Sequence, residues 1–319
     1  MSNYPFYLVD HDRDGSIEDR TLLAKRPFME IDQSFAGDAK RFVPGEQLET
    51  SINTAIAVGE PLLITGEPGT GKTQTAYYVA YKLGIEPVVH FQVKSDSTAQ
   101  DLLYHFDTVR YFHDANLPGS GSLDKSDYIE RRALWTAFET AKKTGYPQIL
   151  LIDEIDKAPR DFPNDLLLEL DKMQFTIKET NTDVVADIQH RPIVFITSNS
   201  ERRLPEPFLR RCVYHHIRFD RSIVEQAVAA RRDEFPTLDD NLIDLSLRRF
   251  FALRDRSLRK LPATGEYLVW LNVLALAIQT EPENLIRALE DTDLSQLPYI
   301  GVLLKDHQDI QELKTSRGM

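Results

Sequence analysis

Residues Gly66-Glu67-Pro68-Gly69-Thr70-Gly71-Lys72-Thr73 follow the spacing GxxxxGK[ST], a pattern whose chemistry is the holding of a phosphate chain. Glycines leave backbone N–H groups unhindered, so the loop can wrap a β-phosphate. The segment that follows, TQTAYYVAYKLG, reads as a helix whose positive N-terminal end faces the same anion. In that geometry Lys72 reaches the β- and γ-phosphates, the Thr73 hydroxyl binds Mg2+, and Gln74 joins the nucleotide side of the loop. A glycine-rich turn of these letters arises by chance in roughly one chain per hundred of this length. The apolar strand before it and the amphipathic helix after it reduce that further.

A second group of residues closes the segment QILLIDEIDKAP, where an apolar strand ends in Asp153 and Glu154. Carboxylates at the carboxyl end of a buried parallel strand sit at the sheet edge where ligands bind. Asp153 is then placed to hold Mg2+, directly or through water, and Glu154 to orient and deprotonate an attacking water. An acidic turn after a strand is common by itself; the phosphate loop upstream gives it meaning. A further strand over 192–197 runs into Ser198-Asn199. The Asn199 amide there can hydrogen-bond both a γ-phosphate and the lytic water, which an apolar side chain cannot. The segment LPEPFLRRC reads as a short helix with two prolines at its start and Arg210 and Arg211 near its end. Such arginines complement the helix dipole. They are also candidates to reach a neighbour's γ-phosphate, because a site without its own arginine needs one delivered.

These residues need a frame that brings several strand ends together. The first forty or so residues are mixed polar and read as an extended entry segment leading to Pro44-Gly45. Residues 45–59 carry apolar positions at helical spacing and stop at Gly59, one loop before the strand that feeds the glycines. Strands recur over 61–65, 88–93, 148–152 and 192–197 between helical patterns, as apolar runs rather than period-2 alternation. That combination implies a parallel sheet covered on both faces. Near Phe219 the pattern changes to helices alone, over 222–234, 240–253, 266–279 and 281–289. The expected organisation is an N-terminal extension over 1–40, a nucleotide-binding α/β domain over 41–219, and a helical domain with a tail over 220–319.

Composition narrows the function. The chain has 319 residues, 42% of them hydrophobic, enough for a large core. A balance of 38 Lys+Arg against 50 Asp+Glu leaves a net charge of -12 and a pI near 5.2. A nucleic-acid polyanion is therefore a poor default partner, although Arg202-Arg203 and Arg210-Arg211 form local basic clusters. The lone cysteine, Cys212, excludes an intramolecular disulfide, a cysteine-based zinc site and a CxxC redox pair, and reads as a small core residue. Residues 1–16 are acidic and lack a continuous apolar stretch, so they do not read as a secretory signal. The longest apolar segment, 267–278, is interrupted by Asn272 and is too short to span a bilayer. The expected location is the cytoplasm. No low-complexity tract or solenoid-like repeat is visible.

The four elements, in this order, resemble the AAA+ ATPases. The resemblance makes residues 66–73 the Walker A motif, residues 150–154 the Walker B motif, Asn199 sensor 1, and Arg210 or Arg211 the arginine finger. Within that superfamily IDEIDKAP, LPEPFLRRC and LRKLPATGEYLVWL look like the MoxR-type ATPases of the helix-2-insert branch. The likeness runs over residues 40–290. It implies a parallel-sheet P-loop AAA+ α/β domain with a C-terminal α-helical lid domain, and ATP with Mg2+ as cofactors. It also implies a homo-oligomeric ring, usually a hexamer, with ATP at subunit interfaces. MoxR-type ATPases commonly work with proteins bearing a von Willebrand A domain, whose metal site uses a DxSxS pattern. This chain has no such pattern, so a partner of that type must be another chain.

In MoxR relatives an insert interrupts the second helix and faces the pore or substrate. Residues 102–113 (LLYHFDTVRYFH) fit a two-strand excursion of that kind, whose aromatics Tyr104, Phe106, Tyr111 and Phe112 either meet a substrate or pack the hairpin. Residues 117–127, with Pro118-Gly119-Ser120-Gly121-Ser122, read as a mobile surface loop, and 177–190 as a further insert. One departure stands out. MoxR-like chains often carry a sensor 2 arginine at the start of a lid helix, where this chain reads KLPATGE over 260–266; Arg259 or Lys260 takes the role, or no lid cation does. The resulting expectation is an ATP-hydrolysing, chaperone-like machine acting on a protein partner. Two rivals remain. A nucleic-acid-directed NTPase motor of a defence or restriction system needs basic residues lining its pore, in a chain that is acidic overall. A nucleotide-gated assembly switch needs no water activator, which Glu154 and Asn199 supply.

Overall fold

The computed structural model describes residues 39–117, 123–291 and 293–315. Nearly all of the expected N-terminal extension and the glycine- and serine-rich centre of the 117–127 loop lie outside the described residues. The described residues divide into two compact units: Pro44–Arg218, and those from Phe219 onward together with residues 39–43.

In the first unit, α1 (Glu46–Val58) buries Leu48, Ile52 and Ala55, which share one helical face. It ends at Gly59, whose N–H returns to Ala55 O at 2.9 Å. β1 (Leu62–Gly66) is buried at every residue. There follow α2 (Lys72–Leu83), β2 (Val89–Gln92), α3 (Ala99–Leu103), β3 (Tyr104–Phe106), α4 (Thr108–Ala115), β4 (Ile129–Arg131), α5 (Ala133–Thr144) and β5 (Ile149–Asp153). Then come α6 (Phe162–Asp165), α7 (Leu167–Lys172), β6 (Gln174–Ile177), β7 (Thr182–Val185), β8 (Ile193–Ser198), α8 (Glu206–Leu209) and β9 (Val213–Ile217). The main sheet runs β2-β5-β8-β1-β9 with every neighbouring pair parallel. Its register sets Gln92 opposite Asp153, Ile152 opposite Ile196, and Thr65 opposite Ser198. The carboxyl ends of four strands therefore lie side by side, which is where a parallel sheet binds its ligand.

β9 is a fifth strand that the search for apolar runs does not contain. Its sequence VYHHI alternates partly buried and exposed positions up to Ile217, as suits the edge of a sheet. The stretch 102–113 also differs from expectation, because it is not a two-strand hairpin. Only Tyr104–Phe106 is a strand there, and its antiparallel partner is β4, with Tyr104 opposite Arg131 and Phe106 opposite Ile129. Asp107 starts α4 by accepting from Arg110 N at 2.9 Å. That cap, with the helical turn it begins, overrides the β propensity of Val109, Tyr111 and Phe112. Tyr104 is buried rather than offered to a partner: its ring stacks on Phe175 at 6.2 Å and its hydroxyl accepts from Lys178 N at 3.0 Å. Val109 and Phe112 are the exposed large side chains of α4. The 177–190 stretch includes β7, which pairs with β6 in a hairpin, Ile177 opposite Thr182.

The second unit consists of α9 (Arg221–Ala229), α10 (Asp240–Arg254), α11 (Thr264–Ala277), α12 (Pro282–Glu290), α13 (Ile300–Leu303) and α14 (His307–Thr315). The helix expected over 222–234 stops at Ala229 and is followed by a separate 3-10 turn, Arg232–Glu234. Phe235, Phe250, Leu253, Tyr267, Trp270 and Leu271 form its core. Both polar aromatics there are satisfied, as burial requires: Tyr267 OH lies 2.8 Å from Ser246 Oγ, and Trp270 Nε1 donates to Pro298 O at 2.8 Å. Among the described residues, no helix is long and apolar enough to cross a membrane.

Candidate functional site

The site begins with backbone geometry at the end of β1. A Cβ on Gly66 would lie 2.6 Å from Ile217 O, so a side chain there would push β9 away. Gly71, at φ 86°, precedes α2, whose first turn has no side-chain cap and no acidic residue. The helix therefore offers its bare N-terminal N–H groups to the loop. Thr70 is buried and donates to Glu67 O at 2.8 Å, while Glu67, Pro68 and Gly69 are exposed and Gln74 is half-buried in the first helical turn. Lys72 is buried, with its ammonium donating to Gly66 O and Glu67 O at 2.8 Å each. Burial lowers its pKa, opposed by the charges of Asp153, Asp156, Glu154 and Glu67.

Asp153 is the last residue of β5. Its Oδ1 accepts from Thr73 Oγ1 at 3.0 Å and from Thr197 Oγ1 at 2.5 Å, and its Oδ2 lies 3.3 Å from His90 Nε2. Burial alone would raise its pKa; attraction to His90 and the bonds from Thr197 and Thr73 outweigh this and hold the carboxyl below its ordinary value.

Glu154 leaves the strand in the left-handed region, φ 59° and ψ 50°, at a cost of about 1 kcal/mol or more for a residue with a side chain. Its N–H donates to Thr197 Oγ1 at 2.8 Å, which holds the bend. The carboxylate then meets three donors: Asn199 Nδ2 at 3.2 Å on Oε1, Gln92 Nε2 at 2.7 Å on Oε2, and the Lys157 ammonium, also on Oε2. Asp156 fixes the loop that carries Asn199, accepting from Asn199 N at 3.2 Å and Glu201 N at 2.9 Å.

Hydrogen bonds thus link Thr73 to Asp153 and Asn199 to Glu154, with Lys72 at the start of α2 beside them. Arg210 and Arg211 bond elsewhere. Arg211 donates to Asp171 at 2.5 Å and to Pro207 O at 3.1 Å; Arg210 meets Glu206 at 3.1 Å and its side chain is 79% exposed against 46% for Arg211. Arg259 and Lys260 belong to the helical unit, where their N–H groups donate to the buried Asp309 carboxylate at 2.9 and 3.2 Å. Cys212 is half-buried, and burial pushes its thiol up to about 12, which makes it unreactive. Gln92, Thr197, Asp156, Lys157 and His90 received no role from sequence. Thr197 carried a usable signal, a hydroxyl next to the end of the strand beside β5; Gln92 and His90 carried none until β2 is registered on β5.

Residues 61–212 match the family described as AAA domain (dynein-related subfamily). This stretch is similar to an AAA domain. It runs from the residue before β1 to the residue before β9, and takes in Lys72, Asp153, Glu154, Asn199 and both arginines of α8. With its five-stranded parallel sheet, flanking helices and helical C-terminal unit, the chain has the α/β AAA+ fold class expected from sequence. No curated protein matches the chain. Among solved structures it is similar to a candidate ATPase from Cytophaga hutchinsonii, with 15% identity, 88% of this chain and 83% of that chain covered, and a TM-score of 0.40.

Proposed function

We propose that this chain is a Mg2+-dependent ATPase of the MoxR type, working in the cytoplasm as a homo-oligomeric ring that rearranges a protein partner. The observation that carries the hydrolytic reading is Glu154, a carboxylate at the end of β5 fixed by Asn199, Gln92 and Lys157 beside a phosphate-type loop. A loop that only holds nucleotide needs Lys72 and Thr73 and has no use for a bent strand end with three donors on one acid. In this reading the ATP phosphates lie on the backbone of residues 66–73. Their charge supplies the counter-ion that the buried Lys72 ammonium favours.

Thr73 and Asp153 offer the oxygen donors that suit a hard divalent cation. These two side chains would hold Mg2+ together with the nucleotide. When bound beside Thr73 and Asp153, the cation would supply positive charge against the charge that develops on the phosphate oxygens. Glu154 takes the proton of the attacking water, and Asn199 orients that water and the γ-phosphate. Gln92 and Lys157 share Oε2, so Oε1, beside the Asn199 amide, is the oxygen that receives the proton. Arg210 is the better candidate for a finger reaching a neighbouring subunit, because Arg211 is already tied to Asp171 and Pro207. A net charge of -12 favours a protein partner, including one with a von Willebrand A domain, over DNA.

Two substitutions test the roles. Lys72→Ala loses ATP binding, whereas Glu154→Gln keeps binding and falls about 100-fold or more in turnover. Equal loss of binding in both variants would refute the assignment. Strong stimulation of turnover by duplex DNA alone at near-physiological salt would move the reading to a nucleic-acid motor.

A further inference from the structure

One helix reaches both oxygens of Asp153, one by a direct hydrogen bond and the other through an imidazole that stands 3.3 Å away. Thr73 and Tyr77 are four residues apart on α2 and therefore share a face. Thr73 reaches Oδ1 of Asp153 at 3.0 Å. Tyr77 reaches the other oxygen by way of His90: its hydroxyl lies 3.1 Å from His90 Nδ1, and His90 Nε2 lies 3.3 Å from Asp153 Oδ2. The two rings meet edge to face with centroids 6.1 Å apart. β2 supplies the imidazole by its register on β5. His90 and Gln92 are two residues apart and share a face of the strand, and each serves one acid, His90 the carboxylate of Asp153 and Gln92 that of Glu154.

The chemistry selects one tautomer. If Nδ1 carried the proton, the Nε2 lone pair would face a buried carboxylate oxygen and repel it. With Tyr77 OH donating to Nδ1, the ring proton sits on Nε2 and faces Oδ2. Burial, with the charge of Asp153, raises the Tyr77 pKa, so the phenol remains a donor. Asp153 thus accepts from two hydroxyls on Oδ1 and faces the imidazole Nε2 across 3.3 Å at Oδ2, a contact close enough to orient the carboxylate although it lies outside hydrogen-bond geometry.

We propose that His90, aligned by Tyr77, is a positioning residue that fixes the Asp153 carboxylate for the divalent cation accompanying the nucleotide. This rests on the reading of Asp153 as the cation-holding acid. Partners that orient a metal-holding carboxylate typically change metal affinity by about 10–100-fold when removed. The effect belongs to the metal step, since neither Tyr77 nor His90 is part of the phosphate loop.

The test uses the full chain, with Mn2+ as the probe and ADP as the nucleotide. Free Mn2+ is followed by electron paramagnetic resonance in saturating ADP, and ADP affinity is measured separately in EDTA. His90→Phe should weaken Mn2+ binding to the ADP complex by about 10–100-fold and leave metal-free ADP affinity unchanged. Tyr77→Phe should shift Mn2+ affinity in the same direction by less. His90→Gln, which restores an N–H donor, should recover part of the loss. Wild-type Mn2+ affinity in His90→Phe would overturn the proposal, as would a parallel loss of metal-free ADP affinity, the mark of a merely structural role. If His90→Phe does not fold, wild-type Mn2+ affinity in both Tyr77→Phe and His90→Gln overturns it. If the unsubstituted chain binds no ADP with or without Mn2+, the nucleotide reading itself fails, and His90 loses its role with it.

Discussion

In the α/β unit, Lys72, Asp153, Asp156 and Thr197 are buried around neighbouring strand ends and serve one another or the loops beside them. In the helical unit two of the buried polar side chains serve separate elements, Ser246 meeting Tyr267 and Asp309 holding the backbone of Arg259 and Lys260, while the buried Thr264 hydroxyl makes no hydrogen bond. Each buried polar group costs free energy unless it is partnered. Concentrating several of them, with opposite charges, raises that cost in one place and is the arrangement expected where chemistry is done. The helical unit instead leaves its interior to Phe250, Tyr267 and Trp270. One unit spends buried polarity on a site; the other keeps it to closing hydrogen bonds around an aromatic core.

That contrast is broken or sharpened by substitution. The largest effect is expected from Trp270→Ala, which should cost about 3–5 kcal/mol in the helical unit. Denaturant unfolding reads the loss, and nucleotide affinity of the folded protein should be unchanged; weakened affinity at unchanged stability would contradict the division of labour. Next comes Thr197→Val, which keeps the shape but removes a donor to Asp153 and the acceptor of Glu154 N–H. It should cost about 1–3 kcal/mol and also depress turnover. Stability loss with normal turnover would make Thr197 an ordinary core residue.

The arginines of α8 offer a smaller effect. Arg211→Ala should lower stability by up to about 1 kcal/mol through its half-exposed pair with Asp171, whereas Arg210→Ala should leave stability unchanged and suppress turnover only in the assembled protein. Mixing Arg210→Ala with Lys72→Ala should restore some turnover by pairing an intact pocket with an intact finger. Absence of rescue in demonstrably mixed assemblies would give Arg210 a surface role.

The smallest effect is a pH dependence. Asp153 is held below its ordinary value of 3.8, so its contribution to stability is fully present above that value and is lost as pH falls through the lower folded one. The stability difference between the wild type and Asp153→Asn should be level from neutral pH to about 4 and narrow below it. Narrowing at roughly pH 5–7 would assign the dependence to another group.

The parts of this organisation visible in sequence are those where local chemistry and local structure coincide. The glycines and Lys72 must sit between a strand and a helix, and β1, β5 and β8 read as strands because both of their faces are buried. β9 was invisible because an edge strand carrying His215 and His216 lacks an apolar run. α4 reads as a strand in sequence because its residue types favour one, while Asp107 sets the chain turning. Gln92 and His90 were illegible for a different reason. Their partners lie more than sixty positions away, and only the register of β2 on β5 brings them to the two acids.

Phe175 of β6 touches three rings at once, stacked on Tyr104 of β3 and tilted or edge-on to Trp135 and Phe138 of α5. The Tyr104 hydroxyl also accepts from Lys178 at the turn of the β6–β7 hairpin. The two small sheets are therefore geared together. Phe175 and Tyr104 join the β6–β7 hairpin to the β3–β4 pair, with Trp135 and Phe138 of α5 packed on the same aromatic cluster.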